Sequence, residues 1–135
     1  MTATSTVARD QAMLKAFCEA FNAHDAQALV SMMTEDCVFR TAMGPEVHGN
    51  AIVGNAAVKA AFEATFAAFP DAKWVPRSPD QVVGDRGFSE WTFIATRAAD
   101  GARFEVHGVD LFTLRDGKIA SKDSYRKDRP PMVSK

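Results

Sequence analysis

Read with a period of two, the stretch Phe104-Glu-Val-His-Gly-Val-Asp-Leu-Phe-Thr-Leu114 has one face more apolar than the other. A period of two belongs to a strand with two unlike faces and does not fit a helix. The run leads into Arg115-Asp-Gly-Lys-Ile119, where Asp116-Gly117 is a tight hairpin turn, and the chain returns through Tyr125. A hairpin is marginal alone in water, so the rest of the chain has to cover its apolar face. Phe104, Val106, Gly108, Asp110, Phe112 and Leu114 share one face. Glu105, His107, Val109, Leu111 and Thr113 share the other. The first set is the more apolar and is predicted to point inward, taking Asp110 with it.

The same texture begins earlier. Asp85-Arg-Gly87 and Asp100-Gly101 are turn signals, and the predicted strands are Phe88–Arg97, Arg103–Leu114 and Lys118–Arg126. In the first of these, Phe88, Glu90, Thr92 and Ile94 oppose Ser89, Trp91, Phe93 and Ala95. In the last, Ala120, Lys122, Ser124 and Arg126 oppose Ile119, Ser121, Asp123 and Tyr125. Large apolar groups occur on both faces, which a sheet with one solvated face does not need. A homodimer joined through the outer sheet face would explain them.

The first half reads as helices. Residues 1–5 are expected to be a disordered lead-in, with Ser5 or Thr6 as an N-cap. Leu14, Phe17, Cys18 and Phe21 follow helical spacing, and the helix runs to about Ala23. Asp25 caps a second helix carrying Leu29, Met32 and Met33, which Thr34-Glu-Asp36 ends. Cys37–Thr41 is a short strand, and Met43–Asn50 is a loop by composition. Gly54-Asn55 opens a third helix with Val58, Phe62, Thr65, Phe66 and Phe69 facing one way, stopped by Pro70. Lys73–Arg77, with Trp74, is extended and held to an edge by Pro76 and Pro79. Helices before strands predict an α+β fold, with about three helices on one face of an antiparallel sheet. One domain spans 1–135, with an ordered core over about 6–128.

Composition narrows the partners. A formal net charge of -1 leaves no basic footprint, so neither nucleic acid nor an anionic membrane surface is an expected partner. Cys18 and Cys37 form no CxxC pair, which predicts reduced thiols in a cytoplasmic setting. The N-terminus has no basic segment followed by an apolar one, and no apolar run approaches a membrane span. No phosphate-binding glycine loop, dinucleotide fingerprint or GxSxG elbow is present, so no cofactor is expected.

The candidate chemistry centres on Asp110. An inward carboxylate is costly unless paired or protonated. Lys122, on the inward face of the return strand, is its expected neighbour, with Ser124 and Arg126 on the same face. Glu90 is a candidate second carboxylate from the strand on the other side. Three roles stay open for Asp110: a general acid/base, an orienter of a polar ligand with Lys122, or a satisfied salt-bridge partner. Arg40 and Lys122 are candidate oxyanion stabilisers, and His48 a candidate for the pocket mouth. Phe17 and Trp74 are core aromatics that could equally line an apolar cavity. Glu46, His48, Glu105 and His107 would make a two-Glu, two-His set, but His107 points away from Asp110 and no HExxH spacing occurs, so no metal is assigned.

The order of elements resembles the SnoaL-like branch of the nuclear-transport-factor-2-like superfamily. The resembling residues are Phe21-Asn-Ala-His-Asp25, Met33-Thr-Glu-Asp-Cys-Val-Phe39, His48-Gly49 with the helix after it, and Gly108-Val-Asp-Leu-Phe-Thr-Leu-Arg-Asp-Gly-Lys-Ile119. The resemblance covers about residues 8–127. It implies a cone-shaped α+β barrel around a small-molecule pocket, commonly in a homodimer. The family includes polyketide cyclases, ketosteroid isomerases, dehydratases, limonene epoxide hydrolases and non-catalytic binding domains. It implies an inward catalytic acid at Asp110. The ketosteroid isomerase base and tyrosine donor would fall at Arg40 and Phe17, which cannot do those jobs. The arginine and second aspartate of limonene epoxide hydrolases fall at Gly108 and Ser124. The resemblance therefore implies a cofactor-independent isomerase, cyclase or lyase for a small carbonyl compound, or else a ligand-binding accessory subunit.

Overall fold

The long hairpin lies inside the sheet, with strands on both sides of it. The structure, a computed structural model, describes residues 3–132. In chain order it holds α1 (Ala3–Asn22), α2 (Ala26–Ser31), β1 (Met33–Arg40), β2 (Ala51–Val53), α3 (Asn55–Ala68), β3 (Lys73–Pro76), β4 (Gln81–Val83), β5 (Arg86–Thr96), β6 (Arg103–Arg115) and β7 (Lys118–Arg126). The sheet order is β2-β1-β7-β6-β5-β3, with β4 also on β5. The sheet is curved but does not close, and β2 and β3 lie at its two ends. The α+β class is as expected. The sheet is mixed rather than purely antiparallel, because β1 runs parallel to β7.

Local chemistry explains the hairpin. Asp116 and Gly117 both have positive φ, 52° and 78°. Two positive-φ residues make the turn whose twist matches the flanking strands. The register sets Ser89 opposite Asp110, Trp91 opposite Gly108, and Asp110 opposite Ser124. Near the turn the ladder slips: Thr113 pairs with Ser121, but Leu114 pairs with Ile119. Ala120 is the extra residue of a β-bulge. Ile119 and Lys122 are consequently both buried, although strict alternation had set them on opposite faces.

Other expectations are corrected. Helix α1 already includes Ala3, so Ser5 and Thr6 lie inside it and neither is its cap; residues 1–2 lie outside the described residues. Helix α2 ends at Ser31, and Met33 opens β1 instead, paired with Ile119. Strands β2 and β4 were not expected, since three residues are too few to show a period. The Asp85-Arg-Gly87 signal is displaced. The turn uses Gly84 at φ 59°, and Gly87 lies within β5 opposite Phe112.

The helices cover the concave face. Leu14, Phe17 and Phe21 of α1 and Val58, Phe62 and Phe66 of α3 are buried against Trp91, Phe93, Phe112 and Ile119. Phe21 meets Phe17, Phe62, Phe66 and Trp74 edge-on, at centroid distances of 4.8–5.7 Å. These T-shaped contacts add to the area burial that drives the collapse.

Candidate functional site

Period-two alternation carries Asp110 to the concave face of β6, and the bulge at Ala120 brings Lys122 and Ser124 there from β7. Their exposures are 7%, 5% and 9%. Lys122 Nζ donates to Asp110 Oδ1 at 3.1 Å and to Ser124 Oγ at 2.7 Å. The Ser124 hydroxyl donates to the same Oδ1 at 2.6 Å. The Trp91 indole N–H donates to Asp110 Oδ2 at 3.0 Å. Both carboxylate oxygens are thus used. Burial of this pair is tolerable because the ions face each other and hydrogen bonds satisfy their remaining atoms.

Two surroundings make that cluster possible. Gly108 leaves the space in which the Trp91 ring lies. A Cβ built there would stand 2.3 Å from Trp91 Cη2. Glycine within a strand often marks such a close approach. The Lys122 ammonium also lies over Phe39, Phe21 and Phe62, at 4.6, 5.0 and 6.0 Å from the ring centres. Those contacts stabilise a desolvated cation.

A pocket of about 350 Å³ opens beside this cluster, between α3, residues 41–43 and the concave face of β5 and β7. Lys122, Ser124 and Arg126 are polar groups in its wall, and Phe39, Phe62, Phe93, Trp74 and Trp91 are among its apolar ones. Asp110 does not line it. Asp110 borders instead a void of about 20 Å³ shared with Phe17, Cys18, Ser89, Trp91 and Lys122. That is room for about one water molecule.

A wider groove of about 770 Å³ runs between α1 and residues 76–80, and Cys18, Ser89 and Trp91 border both it and the small void. Arg77 pairs with Glu90 at 3.8 Å, Ser78 donates to Glu90 at 3.1 Å, and Ser89 donates to Asp80 at 2.7 Å. Burial, with a smaller contribution from the Asp110 charge, raises the Asp80 carboxyl above its ordinary value against the opposing Ser89 bond. Burial, assisted by Asp80, Asp110 and Glu19, pushes the Cys18 thiol up to about 11. A thiol held protonated is a poor nucleophile.

The sequence candidates divide into two groups. Asp110, Lys122, Ser124, Phe17 and Trp74 come together around the void and the pocket. Glu90 does not join them. It is exposed on the outer face opposite Val109, because Ser89 and Trp91 take the inward positions of β5. Arg40 is likewise turned away, since Phe39 is the β1 residue over Lys122 and Arg40 pairs in register with the outer-face Asp123. His48 is exposed in a tight turn closed by Glu46 and Gly49, away from the pocket wall. Trp91 and Gly108 were missed as site residues. A glycine inside an apolar strand beside a tryptophan strand was the available signal. No group of three or more His, Cys, Asp or Glu poised to hold a metal occurs among the described residues. No described helix is long and apolar enough to cross a membrane.

Comparison with known proteins agrees with this architecture. The SnoaL-like domain family matches residues 14–122. A solved NTF2-like protein of unknown function from Mesorhizobium loti is 27% identical, with a TM-score of 0.74 and coverage of 90% of this chain and 93% of that one. A protein described as a "putative polyketide cyclase" from Xanthomonas campestris pv. campestris is 21% identical, with a TM-score of 0.75 and coverage of 87% and 89%. A protein with a ketosteroid isomerase-like fold from Catenulispora acidiphila, solved with trimethylamine, is 17% identical, with a TM-score of 0.72 and coverage of 84% and 83%. At these last two identities the likeness is one of fold. No match is found among curated proteins.

Proposed function

The chain belongs to the SnoaL-like domain family, and from that premise we propose that it binds a small, partly apolar molecule bearing a carbonyl or enol oxygen. Lys122 donates to that oxygen at the base of the 350 Å³ pocket, beside Ser124, and the aromatic wall receives the rest. The observation that carries this reading is the order of the groups: Lys122 and Ser124 line the pocket, with Asp110 bonded behind them. Lysine has three donors, and Asp110 and Ser124 take two, so one is left for a ligand. Asp110 acts here as a positioning residue that fixes the ammonium. The pocket wall itself contains no carboxylate, histidine or thiol, so it offers binding and oxyanion stabilisation more readily than proton abstraction.

The isomerase, cyclase or lyase reading keeps one specific support. The void of about 20 Å³ touches both Asp110 and Lys122, and one water there would let Asp110 exchange a proton with the pocket. Homodimer formation through the outer sheet face is part of the same proposal.

Matched ligands test the binding reading. Wild type should bind 2-acetylnaphthalene about tenfold more tightly than 2-ethylnaphthalene, as expected for one hydrogen bond from a charged donor. Quenching of tryptophan fluorescence follows both. Lys122→Met alone would strand a buried carboxylate, so the variant to use is Lys122→Met with Asp110→Asn, which leaves no unpaired charge. In that variant the preference should vanish. Equal affinity of wild type for the two ligands would sink the proposal.

A further inference from the structure

We propose, resting on the pocket reading above, that the ligand is an aromatic monocarboxylate whose carboxylate is received by Arg126 at the end of the pocket away from Lys122. Lys122, Ser124 and Arg126 occupy alternate positions on the concave face of β7 and all line the pocket. Four residues of strand separate the Cα atoms of Lys122 and Arg126 by about 13 Å, at roughly 3.3 Å per residue. The pocket therefore has a cation toward each end, with Phe39, Phe62, Phe93, Trp74 and Trp91 between them.

The two cations are not equivalent. Lys122 is neutralised by Asp110 at 3.1 Å. Arg126 has no carboxylate within ion-pair distance among the described residues, where the other pairs are Arg9–Asp10, Arg77–Glu90, Arg97–Asp100 and Arg115–Asp36. Its guanidinium lies 5.0 Å from the centre of the Phe93 ring, and Nη2 is 4.0 Å from Met43 Sδ. Arg126 is exposed, and the aromatic face and thioether beside its head supply no counter-charge. Desolvation there lowers the Arg126 pKa. Arg126 also borders an outer-face groove with His107 and Lys127, whose only lining carboxylate, Glu90, is engaged by Arg77 and Ser78.

These features select the ligand's charge and shape. The wall contributes two positive charges and Asp110 one negative charge behind it, so one negative charge balances the site. A guanidinium fork matches a carboxylate in a bidentate arrangement. A phosphate dianion would be left half-neutralised. The aromatic wall suits a flat ring, and the remaining Lys122 donor suits a hydroxyl or carbonyl at the ring's far end.

Calorimetric titration with 6-hydroxy-2-naphthoate and its methyl ester tests this. Wild type should bind the acid more tightly than the ester by about tenfold or more, the range of a charge-assisted hydrogen bond. Arg126→Gln should abolish the preference, so that acid and ester bind that variant equally. If wild type binds acid and ester equally, or Arg126→Gln keeps the preference, the carboxylate assignment is overturned. In that event, loss of ester binding in the Lys122→Met, Asp110→Asn protein would leave the pocket reading standing. If wild type binds neither compound, both readings fall.

Discussion

Asp110 accepts from an ammonium, a hydroxyl and an indole, and each donor depends on a different local feature. Its inward direction and its pairing with Lys122 were legible, because strand period and a two-residue turn together fix which side chains share a face. The indole was not legible. Phe88 and Ile94 looked as apolar as Trp91 and Phe93, so alternation alone could not say which face of β5 turns inward. Register decides it: Ser89 stands opposite Asp110, and Glu90 is turned outward. Gly108 is the residue on which the indole bond rests. Gly108→Ala would drive a methyl into the Trp91 ring and Tyr125 backbone oxygen. Overpacking of this kind costs about 1–3 kcal/mol. We expect that loss in urea unfolding, together with a shifted Trp91 indole N–H resonance. An unchanged resonance and midpoint would show that the ring does not need the space.

At the scale of elements, the long strands and helices were readable and the irregularities were not. Helices α1 and α3 follow from apolar spacing, and β5, β6 and β7 from alternation between turn signals. A bulge has no period, so Ala120 could not be foreseen, yet it sets Ile119 and Lys122 on one side. The segment joining β3 to β4 is a second irregularity. It leaves the edge pairing after Arg77, whose N–H still bonds the Glu90 carbonyl, and turns Asp80 toward Ser89 at 2.7 Å. The Asp80 carboxyl is raised by burial, so the folded state binds its proton more tightly than the unfolded state does. Ionised Asp80 therefore costs stability at neutral pH. That cost disappears as pH falls through the raised folded value toward the ordinary one. Asp80→Asn, which can still accept from Ser89, should be more stable than wild type at pH 7. The difference should shrink as unfolding is measured toward pH 4. A difference that grows on acidification would reverse the assignment.

At the scale of the molecule, the concave face accounts for the helices and the pocket, while no layer of the described residues covers the convex face. The outward residues Phe88, Ile94, Val109 and Leu111 are only half-buried, and Tyr125 is 52% exposed. A one-sided antiparallel sheet ordinarily alternates apolar-in with polar-out. Here Phe88, Val109, Leu111 and Tyr125 adjoin one another on the outer face, while Glu90, Thr92 and His107 separate Ile94 from them. Two such faces related by a two-fold axis would bury the same patch on each copy. A stable pairing of this kind needs about 800 Å² from each partner, which three long strands can supply. The chain should therefore run in solution at about twice its 14.7 kDa mass, as measured by light scattering after gel filtration. Leu111→Arg would place a charge opposite its own image at the centre of that patch and should yield monomer. Its ligand affinity should hold, because Leu111 points away from the pocket. A wild-type protein that is already monomeric at micromolar concentration would refute the pairing, and the apolar outer face would then need a different partner.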